Sequence, residues 1–326
     1  MLRTLAAACD VAARVLRTPT LSPRANTARC YEELFDPLAA ETGVWPDYTE
    51  GVYTGGDESY EEARRRQAEA VLRLCGLRPG MRVLDVGCGN GDLLDQVRRA
   101  GGVGSGITLA RSQVDFCRQR GLDASHCDFD AVEQLYAPAT FDIVTFIGPM
   151  EHLVTEEDAR AGRQDQIIEA AFARVARLLK PGGRFFIANI HFRAPVDITR
   201  MSPDPLDHES ESLLFFCSNL VRIFSGWYTT GDQIPRAAAS AGLRVVVEQD
   251  ATWDYLITSL HWAQRLGALL RHNPWFALRF AARLFARDPR YAFQAALLYY
   301  HESWTWQFRG GEQSPMVHIW RVLERE

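Results

Sequence analysis

The stretch from Val83 to Leu94, VLDVGCGNGDLL, constrains the chain more than any other. The short apolar run Val83-Leu84-Asp85-Val86 predicts a buried parallel strand. Glycines follow at 87, 89 and 91, and Leu93, Leu94 and Val97 then resume with helical spacing. Strand, glycine loop and helix make the first unit of a Rossmann-like sheet, where small residues let the backbone approach a nucleotide-type ligand. A tight turn without a ligand is the bland alternative, and three alternate glycines directly after Asp85 argue against it. The spacing also separates ligands. A dinucleotide fingerprint reads G-x-G-x-x-G, with an acid about 20 residues on to hold a ribose. Here the glycines run G-x-G-x-G, and the next strand ends Ile107-Thr108-Leu109 with no acid at its tip, which argues against a nicotinamide cofactor.

The alternation of strand and helix continues. Strands are predicted at Gly102–Leu109, Ala124–Cys127, Phe141–Ile147 and Arg184–Ile190, with helices at 110–120 and 157–179 between them. Such a pattern implies an α/β sheet with helices on both faces, and ligands in these sheets sit outside the carboxyl ends of the strands. Four regions follow. Residues 1–60 read as an N-terminal helical extension and loop-rich lid, and 61–190 as the ligand-binding core, whose first helix packs on the sheet edge. Residues 191–230 read as an inserted cap. Residues 231–326 complete the core, with an aromatic helical segment before the final strand Met316–Leu323. At 326 residues and 47% hydrophobic, the chain can bury one substantial core plus a cap. Net charge is −5 and no basic block stands out, which excludes a nucleic-acid footprint. Seven cysteines without a C-x-x-C pair predict a reduced, cytoplasmic protein with no structural metal.

Several patches together resemble one family of class I S-adenosylmethionine methyltransferases, the cyclopropane fatty acid synthases and mycolic acid methyltransferases, with plant benzylisoquinoline N-methyltransferases as relatives. These are LRPGMRVLDVGCGNG (77–91), GITLARSQ (106–113), FDIVTFIGPMEHL (141–153), LLKPGGRFFI (178–187) and YLITSLHW (255–262), and the ending GEQSPMVHIWRVLE matches the family's closing strand. The resemblance implies a mostly parallel sheet with its last strand antiparallel, and S-adenosylmethionine as cofactor. It places Asp85, Gly87, Gly89 and Gly91 under the methionine part, and Thr108, Leu109 and Gln113 at the ribose. Asp128 and Phe129 fall beside the adenine, and Tyr48 and Thr49 reach the carboxylate from the lid. Asp128 reads equally well as a helix N-cap. Gly148, also expected at the cofactor, opens the segment Gly148-Pro149-Met150-Glu151-His152, whose Glu-His pair at the tip of the fourth strand is the expected chemical centre, joined by Tyr255.

Two positions depart from the family. The resemblance implies a bicarbonate base held by a lid cysteine, a glutamate, a fifth-strand histidine and a tyrosine. Glu151 and Tyr255 remain, but Glu50 and Ala188 occupy the other two positions. A carboxylate at 50 repels bicarbonate, so that site is expected to be broken, and Glu50 becomes a candidate carboxylate base in its place. The expected activity is methyl transfer to carbon or nitrogen of a small or mid-sized hydrophobic substrate. Trp227, Tyr228 and Tyr255 are candidate faces for a cationic intermediate. Cyclopropane formation on an unsaturated acyl chain is the enzymatic alternative, and a non-catalytic cofactor-binding partner the alternative of another class. The segment 262–290 mixes aromatics with arginines. It is expected to be a helix pair packed on the sheet, a peripheral membrane contact being the less favoured reading.

Overall fold

The computed structural model describes residues 1–326 except 43–48, 56–57, 211 and 301–302. Among the described residues, eight strands form one sheet: β1 (Arg82–Val86), β2 (Val103–Thr108), β3 (Asp123–His126), β4 (Phe141–Ile147), β5 (Leu179–Phe192), β6 (Thr229–Thr230), β7 (Leu243–Asp250) and β8 (Met316–Arg325). Their order is β3-β2-β1-β4-β5-β8-β7, with β6 beside the end of β5. β1 to β5 pair in parallel. β8 runs antiparallel between β5 and β7. This is the mostly parallel α/β sheet with an antiparallel closing strand that the sequence predicts. Val83, Leu84, Ile143, Val144 and Phe146 are fully buried, because both faces of the central strands are covered. The chain leaves β1 for β2 on one side and returns to β4 on the other, so a crevice opens above the carboxyl ends of β1 and β4.

Four local expectations need correction. The helix Tyr60–Leu74, capped by a Ser59–Glu62 box, does not cover the sheet edge. Its Ala68, Val71 and Leu72 pack on a sheet face with Val83, Ile143, Phe186 and Val322. The single helix expected at 157–179 is two, Glu156–Arg160 and Gln164–Leu178. Gly162 turns the chain between them with φ +70. The segment from Tyr31, read as loop-rich with short helices, is instead continuously helical through Thr42. A helix Pro23–Arg29 passes through a π-helical turn, Cys30–Phe35, into a helix Asp36–Thr42. Pro37 has no N–H for the preceding turn, and the wider π turn lies directly before it. Lastly, the helix Pro274–Arg287 packs against the helices Thr252–His272 and Pro289–Tyr300 on either side of it.

The segment between β5 and β6 carries the helix Leu213–Phe224, whose Phe215, Phe216, Leu220 and Ile223 are buried. The N-terminal helix Leu2–Val15 packs through Cys9 against Phe293 and Leu297. All seven cysteines are free thiols. No helix among the described residues is long and apolar enough to cross a membrane.

Candidate active site

A cleft of about 1220 Å³, open mouth included, lies over the carboxyl ends of β1, β2 and β4. The expected cofactor residues Thr49, Asp85, Gly87, Gly89, Thr108, Leu109, Gln113, Asp128, Phe129 and Gly148 all line it. At the end of β1, Asp85 is buried and accepts a hydrogen bond from Thr145 Oγ1 at 2.7 Å, which fixes its carboxylate beneath the loop. Gly87 and Gly89 have φ of +74 and +53. A Cβ on Gly87 would meet Pro149 at 3.3 Å, so the loop lies close against the segment after β4. Thr108 Oγ1 donates to Gln113 Oε1 at 2.7 Å, holding the tip of β2 to the helix that follows. Asp128 is the N-cap that one reading of the sequence expects, and it also lines the cleft. It caps the turn Phe129–Gln134 by accepting from Asp130 N, and in the cleft it meets Arg24 Nε at 2.8 Å. Gly91 lies outside the cleft lining. It starts the helix Asp92–Arg99 with φ +83, and a Cβ there would strike Cys117 and Leu122 at 2.8 Å. Tyr48 lies outside the described residues.

The second cavity, about 800 Å³, adjoins the first through Tyr31, Ile147, Gly148 and His152, which line both. It gathers all four expected catalytic residues, Glu50, Glu151, His152 and Tyr255. Glu151 Oε1 accepts from the Ile190 N–H at 2.5 Å, while Oε2 is buried and finds no partner among the described residues. Burial pushes its carboxyl up to about 8, and the nearby Glu50 adds to the rise. The Glu151 loop is seated against Gly226, where a Cβ would fall 1.7 Å from the Glu151 carbonyl oxygen. Only glycine permits that approach. His152 Nδ1 lies 3.3 Å from the Phe224 carbonyl and Nε2 lies 2.9 Å from the Tyr31 hydroxyl. A carbonyl only accepts, so Nδ1 carries the proton and Nε2 accepts from Tyr31. Burial lowers this ring to about 4, so it is neutral at physiological pH.

On the far wall, Glu50 is buried and accepts from Trp320 Nε1 at 3.1 Å. His318 Nε2 stands 3.8 Å from Glu50 Oε1, and its Nδ1 has no partner among the described residues. Burial raises the phenols of Tyr31, Tyr228 and Tyr255 well above their ordinary range, keeping them protonated. Tyr228 and Tyr255 line the cavity, whereas Trp227 packs behind it on Phe192. Among the described residues, no lysine or arginine lines this cavity.

Sequence reasoning missed Tyr31, Asp36, His318 and Gly226. Asp36 accepts from Gln113 Nε2 and Asn90 Nδ2 at 3.3 Å, tying the helix Asp36–Thr42 to the cleft. One signal was available. In the strand MVHIWRVL, His318 and Trp320 sit two apart and therefore share a face.

The sheet order, the glycine loop and the paired cavities define a class I methyltransferase fold. The chain belongs to the mycolic acid cyclopropane synthetase family, whose model matches residues 33–277. Among curated relatives, it is 29% identical over 160 residues to a methyltransferase, GfsG, of Streptomyces halstedii, covering 48% of this chain and 52% of that protein. The chain spans about half the length of the curated relatives it matches. Its fold is similar to the cyclopropane synthase MmaA2 from Mycobacterium tuberculosis, with TM-score 0.69 at 18% identity, covering 94% of this chain and 99% of that one. It is also similar to the [4+2]-cyclase SpnF, with TM-score 0.66 at 20% identity, covering 94% and 98%. Methyl transfer therefore has to be argued from the cavities, not from the fold.

Proposed function

We propose that the chain is an S-adenosylmethionine-dependent methyltransferase acting on nitrogen of a small or mid-sized hydrophobic amine. The observation that carries this reading is the charge of the second cavity. It holds two acids, Glu50 and Glu151, among the rings of Tyr31, Phe35, Phe224, Tyr228, Tyr255 and Trp262, with no lysine or arginine lining it among the described residues. Aromatic faces beside carboxylates favour a cationic guest. A neutral guest leaves Glu151 protonated, with its carboxyl at about 8, whereas a cationic guest favours its ionised form.

The cleft fits the cofactor. Its glycines leave open backbone beside Pro149, and the carboxylates Asp36, Asp85 and Asp128 suit an ammonium and hydroxyl groups. Asp85, Gly87 and Gly89 would hold its methionine part, Thr108 and Gln113 its ribose, and Asp128 and Phe129 its base, with Thr49 closing from the lid. When bound, S-adenosylmethionine supplies an electrophilic methyl group. The protein's own work is to orient the amine and take its proton. Glu151 Oε2, the free buried oxygen, accepts the N–H proton and exposes the nitrogen lone pair. With its carboxyl at about 8, it exchanges protons readily with an ammonium. Neutral His152, both of its ring nitrogens engaged by Tyr31 and Phe224, presents its ring as a fixed wall against the acceptor. In this proposal residues 1–60 form the lid, 61–190 the cofactor core and 191–230 the cap, and these exclude water from the reacting atoms.

A second reading, cyclopropane-type transfer to an unsaturated acyl chain, draws on the same aromatic walls, with Glu50 as the base. One experiment separates them. Incubation with methyl-labelled cofactor and panels of hydrophobic amines and unsaturated acyl chains should place label on nitrogen. Label on acyl carbon with none on amines would overturn the amine reading, and no transfer to either panel would sink both.

A further inference from the structure

The thirty-three residues 255–287 contain five arginines and no aspartate or glutamate, in a chain whose net charge is −5. The structure places them on the helices Thr252–His272 and Pro274–Arg287. The second of these is apolar on two sides. Leu284 is buried and Phe276 and Phe280 are half-buried toward the protein. On the other side Trp275, Leu278 and Phe285 are 71%, 61% and 43% exposed, with Leu270 48% exposed at the end of the preceding helix. A soluble helix needs only the first stripe. Along the outer stripe stand Arg271, Arg279 and Arg283, all exposed, with no carboxylate within ion-pair distance among the described residues. Arg287 and Arg290, by contrast, are paired with Glu33 and Asp10.

We propose that this outer face docks on an anionic lipid surface. The pattern of a bulky aromatic, aliphatics and flanking arginines is that of a helix lying in the headgroup plane. Charge selects the occupant. A second copy of the chain docking face to face would bring unpaired arginines against each other, whereas anionic headgroups neutralise them. The face and the second cavity share a helix, since Trp262 lines that cavity and Leu270 follows two turns later. The exposed outer stripe is why this proposal favours the membrane contact that the sequence reading disfavoured. This inference rests on the surface alone and not on the proposed acceptor.

The test uses the full chain with phosphatidylcholine vesicles, with and without phosphatidylglycerol. Binding is expected only to the anionic vesicles at low salt, and it should fade as salt screens the contact. The variants Arg279→Glu/Arg283→Glu and Trp275→Ala/Leu278→Ala should each lower partitioning about tenfold or more. The control Arg279→Lys/Arg283→Lys should keep it, and all variants should keep the wild-type melting temperature. Absence of binding to anionic vesicles at low salt, or binding unaffected by both disruptive variants, would overturn the proposal. So would a dimer that Trp275→Ala/Leu278→Ala dissolves without any vesicle binding. Calorimetric affinity for S-adenosylmethionine, measured in parallel, reports separately on the cofactor site.

Discussion

Glu151→Gln should raise stability and lower turnover at the same alkaline pH, a combination that few substitutions produce. The amide keeps an oxygen to accept from the Ile190 N–H and removes the titrating charge. In the folded protein the carboxyl sits at about 8, against ~4.3 in an unfolded chain. Its folded value is raised, so the folded state binds more protons than the unfolded state between those limits. Wild-type stability therefore falls as pH climbs from about 4.5 to about 8 and is level beyond. The shift amounts to ~5 kcal/mol at full weight, and solvent reaching this half-buried residue reduces it to roughly 2–3 kcal/mol. The variant and wild type should thus melt together near pH 5. At pH 8.5 the variant should melt higher by on the order of 5 °C. Turnover should fall by about 10²-fold, the ordinary worth of a positioned proton acceptor, with cofactor affinity nearly unchanged. Calorimetric melts across pH and single-turnover assays on the labelled substrate provide the check. A melting difference independent of pH would show that Glu151 does not titrate as its burial implies. An undiminished rate would move the chemistry to Glu50.

Other outcomes follow from neighbouring contacts. Gly226→Ala should displace the Glu151 loop, because its Cβ would fall 1.7 Å from a backbone oxygen. The rate should drop by about tenfold or more while calorimetry still detects cofactor binding; a wild-type rate would show that the contact is slack. Tyr31→Phe leaves the buried Nε2 of His152 without its donor, a loss of about 1–3 kcal/mol that thermal melts would register. Since burial lowers His152 to about 4, its contribution is complete above about 6.5 and is lost as pH falls toward 4. His152→Gln should accordingly flatten the acid side of the stability profile. Removing bicarbonate from the buffer should leave turnover unchanged, and strong stimulation on adding it back would refute the assignment of Glu50.

What was legible in the sequence follows from what is local. The strand Val83–Val86, its glycine loop and the helix after it are encoded within a dozen residues, and topology then puts the tips of β1, β2 and β4 at one crevice. Glu151 was legible for the same reason, lying four residues past the end of β4. The missed residues come from elsewhere. Tyr31 reaches His152 across 121 positions, on a lid whose π turn conceals its helical period. Gly226 matters only because the chain after the helix Leu213–Phe224 returns against the Glu151 loop. No propensity or period encodes such a meeting; it is settled by packing.

The two departures from the family pattern, Glu50 and Ala188, become one rearrangement in the structure. Ala188 on β5 lies opposite Trp320 on β8 in the antiparallel register. Both belong to one buried cluster, in which the indole packs edge-on to Phe186 with ring centroids 5.4 Å apart. A larger side chain at 188 would compete with that indole for space. Small Ala188 thus accommodates Trp320, whose Nε1–H holds the Glu50 carboxylate, and two residues along the same strand His318 faces the same oxygen at 3.8 Å. The polar partners of Glu50 are therefore Trp320 and His318 on β8 and the neighbouring Thr49 hydroxyl at 3.3 Å, with none from position 188. An acid so held needs no exchangeable anion beside it. The carboxylate is part of the chain, and its charge faces a cavity whose other walls are aromatic. Under the proposed function, that charge and those rings are what a cationic acceptor would meet.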